Sequence, residues 1–91
     1  MTITEYNELV DLLHRGHELE FKYDGKIYYL EVVDENAYDF YDITDGGNAI
    51  LLQRINAVNA AQRAEAFLNA PLIDGKPFNE LYPYIEYADI D

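Results

Sequence analysis

The 91-residue chain contains no cysteine, which removes disulfides, thiolate chemistry and cysteine-based zinc sites. Serine is absent too, so the usual nucleophilic triads are unavailable, and Thr2, Thr4 and Thr44 stand at no suggestive spacing from a histidine. Neither a G-x-x-x-x-G-K-S/T phosphate loop nor a G-x-G-x-x-G turn occurs, and Gly46-Gly47 marks only a turn. No apolar run approaches the ~20 residues that a membrane-spanning helix needs. The opening M-T-I-T-E-Y-N-E lacks the basic and apolar regions of a signal peptide. The expectation is a soluble, cytoplasmic protein with no catalytic site, metal or cofactor.

Basic residues are scarce as well. Six Lys and Arg face 18 Asp and Glu, for a formal net charge of −12, and the pI is near 4.2. Such charge repels nucleic acid and anionic membranes and attracts basic surfaces, including the grooves in which enzymes hold DNA or RNA. A solvated acidic surface with no partner is the plainer reading of the same numbers. What is present speaks for a folded chain: 49% hydrophobic and 14% aromatic content, with nine Tyr and four Phe, argues against disorder. The length suits one domain over residues 1–91 with a single core.

Thr2 and Glu5 form a capping box ahead of Ile3, Tyr6, Leu9, Val10 and Leu13, which recur at helical spacing. Gly16 is a natural stop, so a helix over about 3–15 is predicted. Leu19, Phe21 and Tyr23 then alternate with Glu18, Glu20 and Lys22, as in a half-buried strand. Asp24-Gly25 is a preferred type I′ pair, and it sets a register in which Tyr23 faces Lys26, Phe21 faces Tyr28 and Leu19 faces Leu30. The inner face would hold Leu19, Phe21, Tyr28, Leu30 and Val32. Ile27, Tyr29 and Val33 point the other way beside Glu31, and another element is expected to cover them, because small domains rarely leave such patches bare.

The stretch from Tyr28 to Asp45 organises the rest. It joins strand-forming aromatics to Glu31, Asp34, Glu35, Asp39, Asp42 and Asp45, and no Lys or Arg occurs between Lys26 and Arg54. A third strand over 37–44 would put Tyr38 and Phe40 on one side and Tyr41 and Ile43 on the other. The run 49–55 leans towards strand. Asn56 or Asn59 to Asn69 reads as a helix with Ala60, Ala64, Phe67 and Leu68 on its apolar stripe. After Pro71 come a turn at Asp74-Gly75, a short helix opening on Pro77, and an extended tail over 84–90 that could form an edge strand.

His14 and His17 do not close a metal shell, since Gly16 separates them. Asp39, Asp42, Asp45 and Asn48 lack the spacing of a calcium loop, and strand alternation sends Asp39 and Asp42 to opposite faces. Nor does anything in the sequence mark these carboxylates as an acid/base pair. A rigid acidic ridge could instead occupy a phosphate-binding groove while its tyrosines stack on arginine planes. The candidates are Glu31, Asp34, Glu35, Tyr38, Asp39, Tyr41, Asp42 and Asp45, with Glu80, Glu86, Asp89 and Asp91 as a second group.

The stretch P-L-I-D-G-K-P-F-N-E-L, the capped first helix and the hairpin E-L-E-F-K-Y-D-G-K-I-Y-Y together resemble small acidic proteins encoded by Gram-positive bacteria and their phages. In size and charge the chain is also similar to anti-CRISPR proteins that imitate DNA, a resemblance that carries no residue over. The expected architecture is α+β: an N-terminal helix, an antiparallel sheet of three to four strands, then one longer and one short helix. The expected function is non-enzymatic docking on a basic protein surface, such as that of a nucleic-acid-binding enzyme, without direct nucleic-acid or membrane binding. The alternative is a module that self-associates through Ile27, Tyr29 and Val33, its charge serving solubility.

Overall fold

The computed structural model describes all 91 residues. Helix α1 spans Ile3–His14, and its capping box is complete: Glu5 N donates to Thr2 Oγ1 at 3.2 Å and Thr2 N to Glu5 Oε1 at 2.9 Å. Gly16, at φ 90, takes the left-handed conformation that ends the helix. Strands β1 (Leu19–Tyr23) and β2 (Lys26–Asp34) form the hairpin that the turn chemistry dictates. Asp24 and Gly25 both have positive φ, 49 and 75, and the pairs Tyr23–Lys26, Phe21–Tyr28 and Leu19–Leu30 are the ones expected.

Strands β3 (Ala37–Asp42) and β4 (Ile50–Asn56) continue the meander. Helix α2 spans Ala60–Asn69 and is capped by Asn59 Oδ1, which accepts from Gln62 N at 2.9 Å. Pro77 stands just outside α3 (Phe78–Leu81) in extended conformation, one position earlier than expected. A 3-10 turn over Tyr82–Tyr84 leads to strand β5 (Tyr87–Ile90).

The sheet is antiparallel throughout, in the order β4-β3-β2-β1-β5. It has five strands rather than three or four, because the tail closes on the free side of β1, with Phe21 opposite Ala88 and Leu19 opposite Ile90. The chain therefore crosses the whole sheet between β4 and β5, and α2 and α3 make that crossing on the same face as α1.

That face holds the core. Leu9 and Leu13 of α1, Ala64, Phe67 and Leu68 of α2, and Phe78 and Leu81 of α3 close over Leu19, Phe21, Tyr28, Leu30, Tyr38, Phe40 and Ile55. The ring of Phe21 lies 5.3 Å from Tyr28 and 5.0 Å edge-on from Phe78, and Tyr28 stacks on Phe40 at 5.4 Å. Each such ring contributes roughly 1.5–3 kcal/mol through area removed from water.

One buried residue on α2 departs from the expected apolar stripe. Arg63, 1% exposed, takes an inward position while Ala60 is only half-buried. Its guanidinium lies 4.3 Å over the Tyr38 ring and donates to the Asp34 carbonyl. A Cβ on Gly16 would approach Arg63 Nη2 to 3.4 Å, so the glycine that ends α1 also leaves room for this side chain.

Candidate docking surface

The opposite face of the sheet is bare. No helix covers Ile27, Tyr29 or Val33, contrary to the cover expected for them: all three helices are engaged with the aromatic core on the inner face. Ile27 and Tyr29 are half-buried by their strand neighbours, and Val33 is the unpaired residue of a bulge in β2.

Strand pairing lines up the side chains of this outer face in rows. One row, which continues β5 and β1 by one residue each, runs Asp91, Glu18, Glu31, Asp39 and Arg54. The next runs Asp89, Glu20, Tyr29, Tyr41 and Leu51. Neighbouring strands are about 4.8 Å apart, and residues two apart along a strand about 6.6 Å. The backbone positions that carry these acidic and tyrosine side chains thus form a grid of roughly 5 by 7 Å.

Hydrogen bonds hold two of these carboxylates, Glu18 and Glu20, in place. The Tyr29 hydroxyl donates to Glu18 Oε1 at 2.5 Å, and Val32 N donates to Glu18 Oε2 at 2.8 Å. The Tyr87 hydroxyl donates to Glu20 Oε2 at 2.9 Å. The acceptor carboxylates raise the pKa of both phenols: the bond to Glu18 leads for Tyr29, and the bond to Glu20 for Tyr87. Tyr41 is also raised, by desolvation first and then by the charges of Glu31 and Asp39. The two cations on this face are both engaged. Arg54 Nε and Nη2 donate to the two Asp39 oxygens at 2.7 and 2.9 Å, and Lys22 Nζ lies 3.8 Å from Glu86.

The sequence-derived ridge is therefore divided. Glu31 and Tyr41 stand on the outer face, as alternation requires. Tyr38 is fully buried beneath Arg63, with its hydroxyl 3.4 Å from the Leu13 carbonyl, and has no access to a partner. Asp39 is on the outer face but buried and paired with Arg54, whose hydrogen bonds hold its carboxyl below the usual range. Asp42 points to the inner side and accepts from Thr44 N at 2.9 Å; hydrogen bonding to the Thr44 side chain, and next to its amide, lowers the Asp42 pKa. Asp34 and Glu35 are exposed at the β2–β3 turn, and Asp45 in the loop after β3, apart from these rows.

Beside Glu31 the fold sets Glu18 and Glu20, which were not among the candidates, and Asp89 and Asp91 from the second candidate group. The signal for the first pair was the polar phase of β1. That the second pair stands beside the first depends on the β1–β5 register, which no local pattern shows.

No group of three or more His, Asp or Glu side chains is placed to hold a metal ion. The two surface clefts, both between α1 and β5, are lined by carboxylates and apolar groups without a His, Lys or Arg. No helix is long and apolar enough to cross a membrane. Fold and surface together define an α+β protein whose sheet is covered by helices on one face and presents an acidic, tyrosine-studded lattice on the other. No protein-family model, curated protein or solved structure matches the chain.

Proposed function

We propose that this protein acts by binding rather than by catalysis, and that the outer face of its sheet docks on a basic protein surface. The observation that carries this reading is the lattice of Asp91, Glu18, Glu31, Asp89 and Glu20, held on a rigid sheet whose two cations are already paired internally. Carboxylates carried on the regular grid of a sheet, two of them held by hydrogen bonds, can face a row of arginines and lysines, and Tyr29, Tyr41 and Tyr87 offer ring faces to guanidinium planes. A groove in which an enzyme holds nucleic-acid phosphates is the surface that such an array fits, so inhibition by imitation of nucleic acid follows.

Self-association through Ile27, Tyr29 and Val33 fits this face less well. Two copies, each carrying −12, would bring Glu18, Glu20 and Glu31 of one against the same residues of the other.

Capture of nucleic-acid-binding proteins on the immobilised chain tests the proposal. A bound partner should be displaced by duplex DNA or RNA, and its affinity should fall about tenfold or more between about 50 and about 200 mM salt. The combined change Glu18→Gln, Glu20→Gln and Glu31→Gln should abolish capture while leaving the circular dichroism unchanged. A partner held equally well in high salt, or indifferent to the triple change, would sink the idea.

A further inference from the structure

The two edges of the sheet are protected unequally. Strand β5 is short, four residues, and carries Asp89 among Glu86 and Asp91, so a second strand approaching it meets carboxylates. Strand β4 is longer, seven residues, carries no carboxylate, and is interrupted only by a one-residue bulge at Leu52. No Asp or Glu occurs between Asp45 and Glu65, in a chain where 18 of 91 residues are acidic. No proline interrupts β4, and its one charged residue, Arg54, is turned to Asp39 on its own sheet. Along it Ile50, Leu51 and Leu52 are 56%, 52% and 46% exposed, and Val58, just beyond, is 72% exposed. Unpaired backbone groups beside a run of bare aliphatics form a template for another strand.

We infer that β4 pairs antiparallel with β4 of a second copy of this chain, extending the sheet across a two-fold axis. The charge distribution selects that occupant. Two molecules of −12 repel over most of their surfaces, and the acid-free edge is where they can meet with no carboxylate facing another. A two-fold axis sets the same patch on both sides, so apolar Leu51 and Leu52 need only themselves as partners. The resulting ten-stranded sheet would place its acidic faces towards the two far ends, separated by the acid-free β4 strands. The interface is small, so a dissociation constant on the order of 10 μM is expected.

Sedimentation equilibrium across a concentration series reads the outcome. The expected result is a reversible species of twice the 10.5 kDa chain mass. Its association should tighten as salt rises, the reverse of the behaviour expected for docking on a basic partner. Leu51→Glu and Leu52→Glu, both at exposed positions, should each weaken dimerisation about tenfold or more with no change in circular dichroism. Because the chain is free of cysteine, single substitutions report the contact directly. Leu52→Cys, next to the axis, should form an intermolecular disulfide under mild oxidation, and Asp89→Cys should not. A single-chain mass up to about 1 mM, a dimer indifferent to Leu52→Glu, or equal cross-linking of the two cysteine variants would overturn the inference.

Discussion

Tyr38 and Tyr41 belong to the same strand and have opposite environments. Tyr38 faces the helices, is wholly buried, and supports the guanidinium of Arg63. Tyr41 faces solvent, half-exposed, among Glu31 and Asp39. Composition treats the two alike. The pleat of β3 does not, and a single inversion of side separates a core residue from a surface one. The same contrast holds between the two faces throughout: the inner one is knit by rings and aliphatics, the outer one by hydrogen bonds to carboxylates.

The largest expected effect tests that contrast within β3. Phe40→Ala removes a ring that stacks on Tyr28 and touches Phe67, and should cost about 3–5 kcal/mol in urea denaturation. Tyr41→Ala should cost far less. Equal losses would mean that the outer face is as tightly packed as the core.

Next comes the pair of arginines. Arg63→Ala empties buried volume and leaves the Asp34 carbonyl without its donor, for a loss of about 2–4 kcal/mol. Arg63→Met, which refills the volume without the charge, should recover part of it. The Arg63 Nε has no hydrogen-bond partner, so the charged group is imperfectly housed where it is. Arg54→Ala, on the outer face, should destabilise less than Arg63→Ala.

How much of this was legible in the sequence depends on the range of the interaction. Asp24-Gly25 fixed the first hairpin residue by residue, because a two-residue turn leaves no freedom of register. The capping box at Thr2 was equally local. Strand β5 was harder to count: Y-A-D-I is short and its Asp89 faces outward, so the strand exists by virtue of β1, far away in the chain. Arg63 carried no local mark at all. Its burial depends on Tyr38 and the Asp34 carbonyl, and an arginine amid alanines reads as the wet face of a helix. The division of the acidic ridge was hidden in the same way, since the pairing of Asp39 with Arg54 appears only once β3 and β4 are in register.

Two smaller effects sharpen the comparison through pH. Tyr29 is held protonated in the folded state by its bond to Glu18, with its pKa raised well above the free value. A raised folded pKa stabilises the fold below about pH 10, and this contribution is lost as pH rises past that point, where the unfolded chain ionises first. The thermal midpoint should therefore fall above about pH 10, and less steeply in Tyr29→Phe.

Asp39 runs the other way. Its depressed folded pKa contributes stability above the free value of about 4, lost as pH falls through the folded one. Asp39→Asn should lower the midpoint slightly at neutral pH, and the gap to the unaltered protein should close below about pH 4.

The link between β1 and β5 has a kinetic side. The Tyr87 hydroxyl reaches Glu20 across 67 positions of sequence, whereas β1, β2, β3 and β4 each join a neighbour next in the chain. Loop closure over that span costs entropy that local hairpins do not incur, so during folding the meander can assemble first and the last strand must dock onto it. The same order in reverse makes β5 the first strand to peel away. In native-state hydrogen exchange its amides should open by a local fluctuation, while those of β2, at the centre of the sheet, wait for global unfolding. Such a fluctuation would release Asp89 and Asp91 from their rows and dismantle one side of the acidic lattice without unfolding the rest.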